Sequence, residues 1–127
     1  MFEINGVQLE YDAFDAETAG KFEAAKKEVI NAITDSENVR KTDGIEAALH
    51  MQCNAIKKFF DDMFGDDAGK NICGEKSNLY KCTEAFGMFM QEDDRQSKVF
   101  RSNDAISFVL SKSNNTNNQQ ERRRRGR

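Results

Sequence analysis

A stripe of apolar residues constrains this chain more than any other feature. Ile45, Leu49, Gln52 or Cys53, Ile56, Phe60 and Met63 recur at steps of three and four. That spacing places them on one face of a helix of period 3.6. Glu46, Lys57, Lys58, Asp61 and Asp62 fall mostly on the other faces, as a solvated surface requires. Asp43 followed three residues later by Glu46 has the spacing of a capping box, with Asp in place of Ser or Thr. Gly65 is a natural stop, because glycine takes positive φ without steric cost. A second segment carries Leu79, Cys82, Phe86 and Phe89 or Met90 at the same steps, with Ser77 or Asn78 as its cap. Gly87 inside it costs about 1 kcal/mol relative to alanine, and close approach by a neighbouring helix is one use for it. Between the two segments, Asp66 to Cys73 is expected to make a short helical turn, with Ile72 as a plug into the core.

The flanks add a hairpin, a further long helix and a tail. Phe2-Glu3-Ile4-Asn5-Gly6-Val7-Gln8-Leu9 alternates apolar and polar residues about Asn-Gly, the favoured pair for a two-residue type I′ turn. A lone two-stranded hairpin is marginal in water, so it must pack on helices or pair with another chain. Phe22, Ala25, Val29 and Ile33, with Ile30 alongside, predict a helix from about 16 to 34. Thr34 to Asn38 reads as a turn or the start of a short continuation, with a break before Gly44. Gln91 to Lys98 is either the solvated end of the second apolar helix or a loop. Ser102-Asn103-Asp104 can cap a short last helix holding Ile106, Val109 and Leu110; a strand is the other reading there. From Ser111 to Gln120 nothing is apolar, and disorder is expected. The fold class is therefore mainly α: a small helical domain of three to four helices over 1–110, a short N-terminal β-hairpin, and a disordered basic tail over 111–127.

Composition narrows the function. The last seven residues hold five arginines and one glutamate, a net +4; against −3 for the whole chain, residues 1–120 carry −7. An acidic body with a basic end suggests a binding tail, or a tail that folds back onto its own domain. No apolar run approaches the length of a membrane span, and the N-terminus lacks the pattern of a secretory signal. A cytosolic protein is expected, with Cys53, Cys73 and Cys82 as buried small hydrophobes in a reducing compartment.

The motifs that invite chemistry fall short of it. Gly65-Asp66-Asp67-Ala68-Gly69-Lys70-Asn71 misses a phosphate-binding loop: the glycine spacing is one residue short, and Asn71 stands where Ser or Thr is required. Asp61, Asp62, Asp66, Asp67 and Glu75 come in adjacent pairs or singly rather than in the alternating pattern of a calcium loop. They read as a solvated loop that caps a helix. His50 and Cys53 lie one turn apart, but zinc needs four ligands, and only the irregularly spaced Cys73 and Cys82 remain. One histidine is thin material for acid–base or nucleophilic catalysis. No catalytic residue, metal or cofactor is expected. Arg122, Arg123, Arg124 and Arg125 could neutralise nucleic-acid phosphates, yet the tail lacks aromatics to stack bases and the body would repel them.

The opening Met1-Phe2-Glu3-Ile4-Asn5-Gly6-Val7-Gln8-Leu9 and the end Asn117-Asn118-Gln119-Gln120-Glu121-Arg122-Arg123-Arg124-Arg125 resemble the small tail assembly chaperones of long-tailed phages. Phe59-Phe60-Asp61-Asp62-Met63-Phe64-Gly65, with Asn78-Leu79 and Glu84-Ala85-Phe86, is similar to small proteins from phages and prophages of Gram-positive bacteria. The resemblance implies a non-enzymatic protein, working in the bacterial cytoplasm, that binds the tape measure protein and helps recruit tail-tube subunits. Self-association is a further expectation. Apolar residues suited to such a partner are Phe60, Met63, Phe64, Phe86, Met88 and Met90, with Arg122 to Arg125 as an accessory contact. The methionines also read as core. The alternatives are a structural virion or head–tail joining protein, and a small nucleic-acid-binding regulator acting through the arginines.

Overall fold

Helix accounts for most of residues 1–112, the part of the chain that the computed structural model describes. In order come β1 (Phe2–Ile4), β2 (Val7–Leu9), α1 (Ala16–Asp43), α2 (Ile45–Phe64), α3 (Ala68–Cys73), α4 (Leu79–Ser102) and a helical run over 104–112, α5. The mainly α class and the N-terminal hairpin are as the sequence predicts, with five helices among the described residues rather than three or four. Met1–Asp93 is one compact unit, and the chain from Asp94 onward is a second.

In the first unit, Asn5 and Gly6 have φ of 51° and 84°, the pair of positive values that a type I′ turn demands. Phe2 pairs with Leu9, Glu3 with Gln8 and Ile4 with Val7. Ile4 and Leu9 are buried. The Asn5 Nδ2 donates to the Ile72 carbonyl at 2.8 Å, so the turn itself is tied to α3. The hairpin meets its need for a partner on its own helices.

Helix α1 opens at Asp15, whose carboxylate accepts from the Thr18 backbone N–H at 3.0 Å and hydroxyl at 2.8 Å. These bonds hold the Asp15 carboxyl below its ordinary pKa. The helix does not end near Thr34 but runs on to Asp43. The polar stretch that suggested a break contains Ser36, which is buried. Its hydroxyl donates to the Ile33 carbonyl at 2.7 Å and accepts from the Gln52 Nε2 of α2 at 2.6 Å. A serine with both roles satisfied can occupy a core position. The inward face therefore runs Ala25, Val29, Ser36, while Ile30 and Ile33 are 52% and 44% exposed.

Gly44 alone joins α1 to α2, at φ 98°. Its N–H donates to the Arg40 carbonyl at 3.1 Å. The expected capping box is not made: Asp43 belongs to α1, and α2 starts with no side-chain cap. Gly65 does end α2, at φ 104°, and α3 follows with Ile72 fully buried as the plug. The Asp61 carboxylate, in the last turns of α2, accepts the Gly69 N–H at 2.8 Å, so one acid of the cluster does cap a helix start. Close backbone approach occurs at Gly69 rather than at Gly87. A Cβ on Gly69 would collide with the Lys57 carbonyl and Cα, whereas one on Gly87 would meet nothing within 4 Å. The Asn78 side-chain oxygen, Oδ1, caps α4, accepting from the Lys81 N–H at 3.1 Å.

Aromatic rings fill the core. The Phe89 ring of α4 lies 4.7 Å from Tyr11, 5.2 Å from Phe59, 5.6 Å from Phe22, 5.9 Å from Phe64 and 6.1 Å from Phe2, between ring centres. Most of these pairs are tilted or edge-on, the arrangements that ring quadrupoles favour.

In the second unit, α4 continues as helix to Ser102, which resolves Gln91 to Lys98 in favour of helix. Asn103 then caps α5, its side-chain oxygen accepting from Ala105 N at 3.1 Å and Ile106 N at 3.4 Å. The last apolar segment is thus helix and not strand. It includes Ser111 and Lys112, which composition assigns to the tail. A capped helix propagates through such residues at little cost. The rest of the expected tail lies outside the described residues.

Three substitutions check this packing by chemical denaturation. Gly69→Ala destabilises by about 1–3 kcal/mol through overpacking against α2. Gly87→Ala stabilises by about 0.5–1 kcal/mol, because it meets no neighbour and restricts the unfolded chain. Phe89→Ala costs about 3–5 kcal/mol.

Candidate protein-binding cleft

Where the hairpin meets the end of α2, the first unit has a cleft of about 640 Å³. Strand β2 supplies Val7, Gln8 and Leu9, the last turn of α2 supplies Met63 and Phe64, and α3 supplies Ala68. The rim is polar: Glu10, Asp61, Asp62, Asp66, Lys21 and Asn71. The apolar part follows from helix period. Phe60 points fully inward, and Phe64, one turn later, stacks near it at 6.4 Å between ring centres. The helix ends at Gly65, so Met63 and Phe64 are left half-covered.

A strand edge lies in the same cleft. In a hairpin with a two-residue turn, the closing pair, here Ile4 and Val7, bond to each other. The next pair, Glu3 and Gln8, then direct their backbone N–H and C=O groups outward, and Gln8 lines the cleft. An outward strand edge can accept one more strand. The rim favours cations. Asp62 is shared with Lys58, which at 2.9 Å from Asp62 and 2.7 Å from Glu28 has its pKa raised by both hydrogen bonds. Glu10 and Asp66 stand exposed.

The six apolar residues proposed from sequence do not form one surface. Met63 and Phe64 line the cleft. Phe60 is fully buried and has no face to offer a partner. Phe86 and Met90 are half-buried against the core, with the Phe86 ring 5.0 Å from Phe59. Met88 is exposed, outside the cleft. Arg122 to Arg125 lie outside the described residues. What sequence reading missed was the meeting of β2 with the end of α2. The hairpin and the Met63-Phe64 pair were each visible, but the Asn5–Ile72 bond that brings the turn to α3 spans 67 residues.

The three cysteines are free and buried, as expected. Burial, with the neighbouring Cys82, pushes the Cys53 thiol up to about 11 and the Cys73 thiol up to about 12. Both are protonated near neutrality, the inert form. His50 does not pair with Cys53: its Nδ1 is 2.8 Å from the Ser77 hydroxyl, and its Nε2 is 3.7 Å from Glu46. Among the described residues, no group of three His, Cys, Asp or Glu is placed to hold a metal. None of their helices is long and apolar enough to cross a membrane. The Tyr11 hydroxyl donates to Asp93 at 2.7 Å, and burial followed by that carboxylate raises its pKa.

These groups make the fold sensitive to alkali. All three pKa values are raised on folding, so their contribution is complete below the unfolded values, near 9 for the thiols and 10 for Tyr11. Above pH 9 the unfolded chain releases protons that the folded chain keeps, and stability falls as pH rises. Urea titrations from pH 7 to 11 should show that decline, reduced in Cys73→Ala and Tyr11→Phe. In native buffer at pH 8, iodoacetamide should leave the cysteines unmodified until denaturant is added.

Neither the curated proteins nor the solved structures compared with the chain give a match. Residues 5–126 match the model of a family of unknown function (DUF6673), a span that takes in the hairpin turn, every helix among the described residues and nearly all of the remaining chain, and the protein belongs to that family.

Proposed function

We propose that the protein is a phage tail assembly chaperone: a non-enzymatic protein in the cytoplasm of the bacterial host that binds the tape measure protein and assists tail-tube assembly. The observation that carries the reading is the cleft, where a strand edge, an apolar floor and an acidic rim converge. A client segment entering it can bond to the Gln8 backbone and set an apolar side chain on Leu9, Met63 and Phe64. Met63 suits a client of variable sequence, because its unbranched, polarisable side chain repacks at low cost. Glu10 and Asp66 favour clients with cationic flanks and speed the encounter. The resemblance of the chain's opening and end to tail assembly chaperones supplies the identity of the client.

The test is co-expression with the tape measure protein of the same genome, followed by affinity recovery. Wild type should recover it in soluble form. Met63→Asp, with helicity and melting checked alongside, should lower recovery about tenfold or more, and Glu10→Lys with Asp66→Lys should lower it a few-fold. Equal recovery by Met63→Asp, or presence of the protein in purified virions, overturns the reading.

A further inference from the structure

Helix α5 carries a surface that matches a copy of itself. Around its axis, Asp104, Ser107 and Ser111 form a narrow polar strip, and most of the remaining circumference is apolar. Phe108 and Val109 are 62% and 61% exposed. A nine-residue helix is marginal in water without packing, so large apolar side chains on it call for cover.

The arrangement on the most exposed side identifies the cover. Asp104, Phe108 and Lys112 follow each other at intervals of four, with Ala105 and Val109 beside them. The anion sits four residues before the phenylalanine and the cation four residues after it, each about 6 Å along the axis. Lys112 Nζ lies 4.9 Å from the centre of the Phe108 ring, so cation and ring share this side of the helix. A two-fold axis through Phe108 would lay a second α5 antiparallel to the first. Phe108 then meets Phe108 of the other copy, and Asp104 at each end meets the other copy's Lys112. Ala105, with its small side chain, allows the helices to approach. Parallel pairing would set Asp104 against Asp104 and Lys112 against Lys112.

We propose that α5 mediates antiparallel self-association, with a second copy of this chain as its occupant through Asp104, Ala105, Phe108, Val109 and Lys112. Such a contact is isologous and closes on itself as a dimer. The short helix makes it a reversible, concentration-dependent one.

The experiment is sedimentation velocity on the full chain over a concentration series at low salt. Wild type should pass from monomer to dimer, and Phe108→Asp should remain monomeric with unchanged helicity. Asp104→Lys alone and Lys112→Asp alone should each weaken the dimer about tenfold, because each sets like charges together at both ends. Mixing those two variants should restore dimerisation as a heterodimer, within about threefold of wild type, since every end again pairs opposite charges. Wild type that stays monomeric throughout, a Phe108→Asp dimer of wild-type strength, or single variants that dimerise no better mixed than apart would each overturn the proposal.

Discussion

Packing around a single ring, that of Phe89, holds the first unit together. β1, the segment before α1, α1 itself and α2 each send an aromatic ring to it. These segments are far apart in sequence, and no sheet connects them. The ring cluster replaces the backbone bonding that a larger sheet would provide. Large side chains suit this role in a chain with ten phenylalanines and no tryptophan: one buried aromatic ring touches many neighbours and needs no hydrogen-bond partner. Tyr11 is the exception, and its hydroxyl finds Asp93 at the edge of the cluster.

Local patterns were legible in the sequence, and their ends were less so. Asn5-Gly6 located the hairpin because the turn's geometry is a property of two residues. The stripes of α2 and α4 were visible because apolar spacing reports a helix directly. The end of α1 was hidden because its inward position is filled by Ser36, whose burial depends on Gln52 sixteen residues later. Helix propensity offered close approach as one use for Gly87, but crowding depends on the neighbour. Here the neighbour is the backbone of Lys57 at Gly69.

The candidate cleft was legible only in parts. Met63 and Phe64 stood out as apolar residues at a helix end, and the hairpin edge stood out as an interaction surface. Phe60 has the same chemistry as Phe64 and one turn of separation, yet it is fully enclosed where Phe64 is half-covered. Periodicity assigns a residue to a face, and the length of the helix decides which members of that face have a neighbour above them. Met88 shows the same limit: one residue before the buried Phe89 of α4, it turns to the surface.

The one-residue junction at Gly44 has a consequence for how such a chain can vary. Helices of 28 and 20 residues meet there without a loop, so the phase of one is locked to the phase of the other. Ser36 faces Gln52 because each lies eight residues from the glycine. One inserted residue would turn the rest of α2 by about 100°, carrying Phe59 and Phe60 out of the core together. Insertions and deletions can therefore accumulate in the stretch after Gly74, where no helix depends on the count, but not at this hinge.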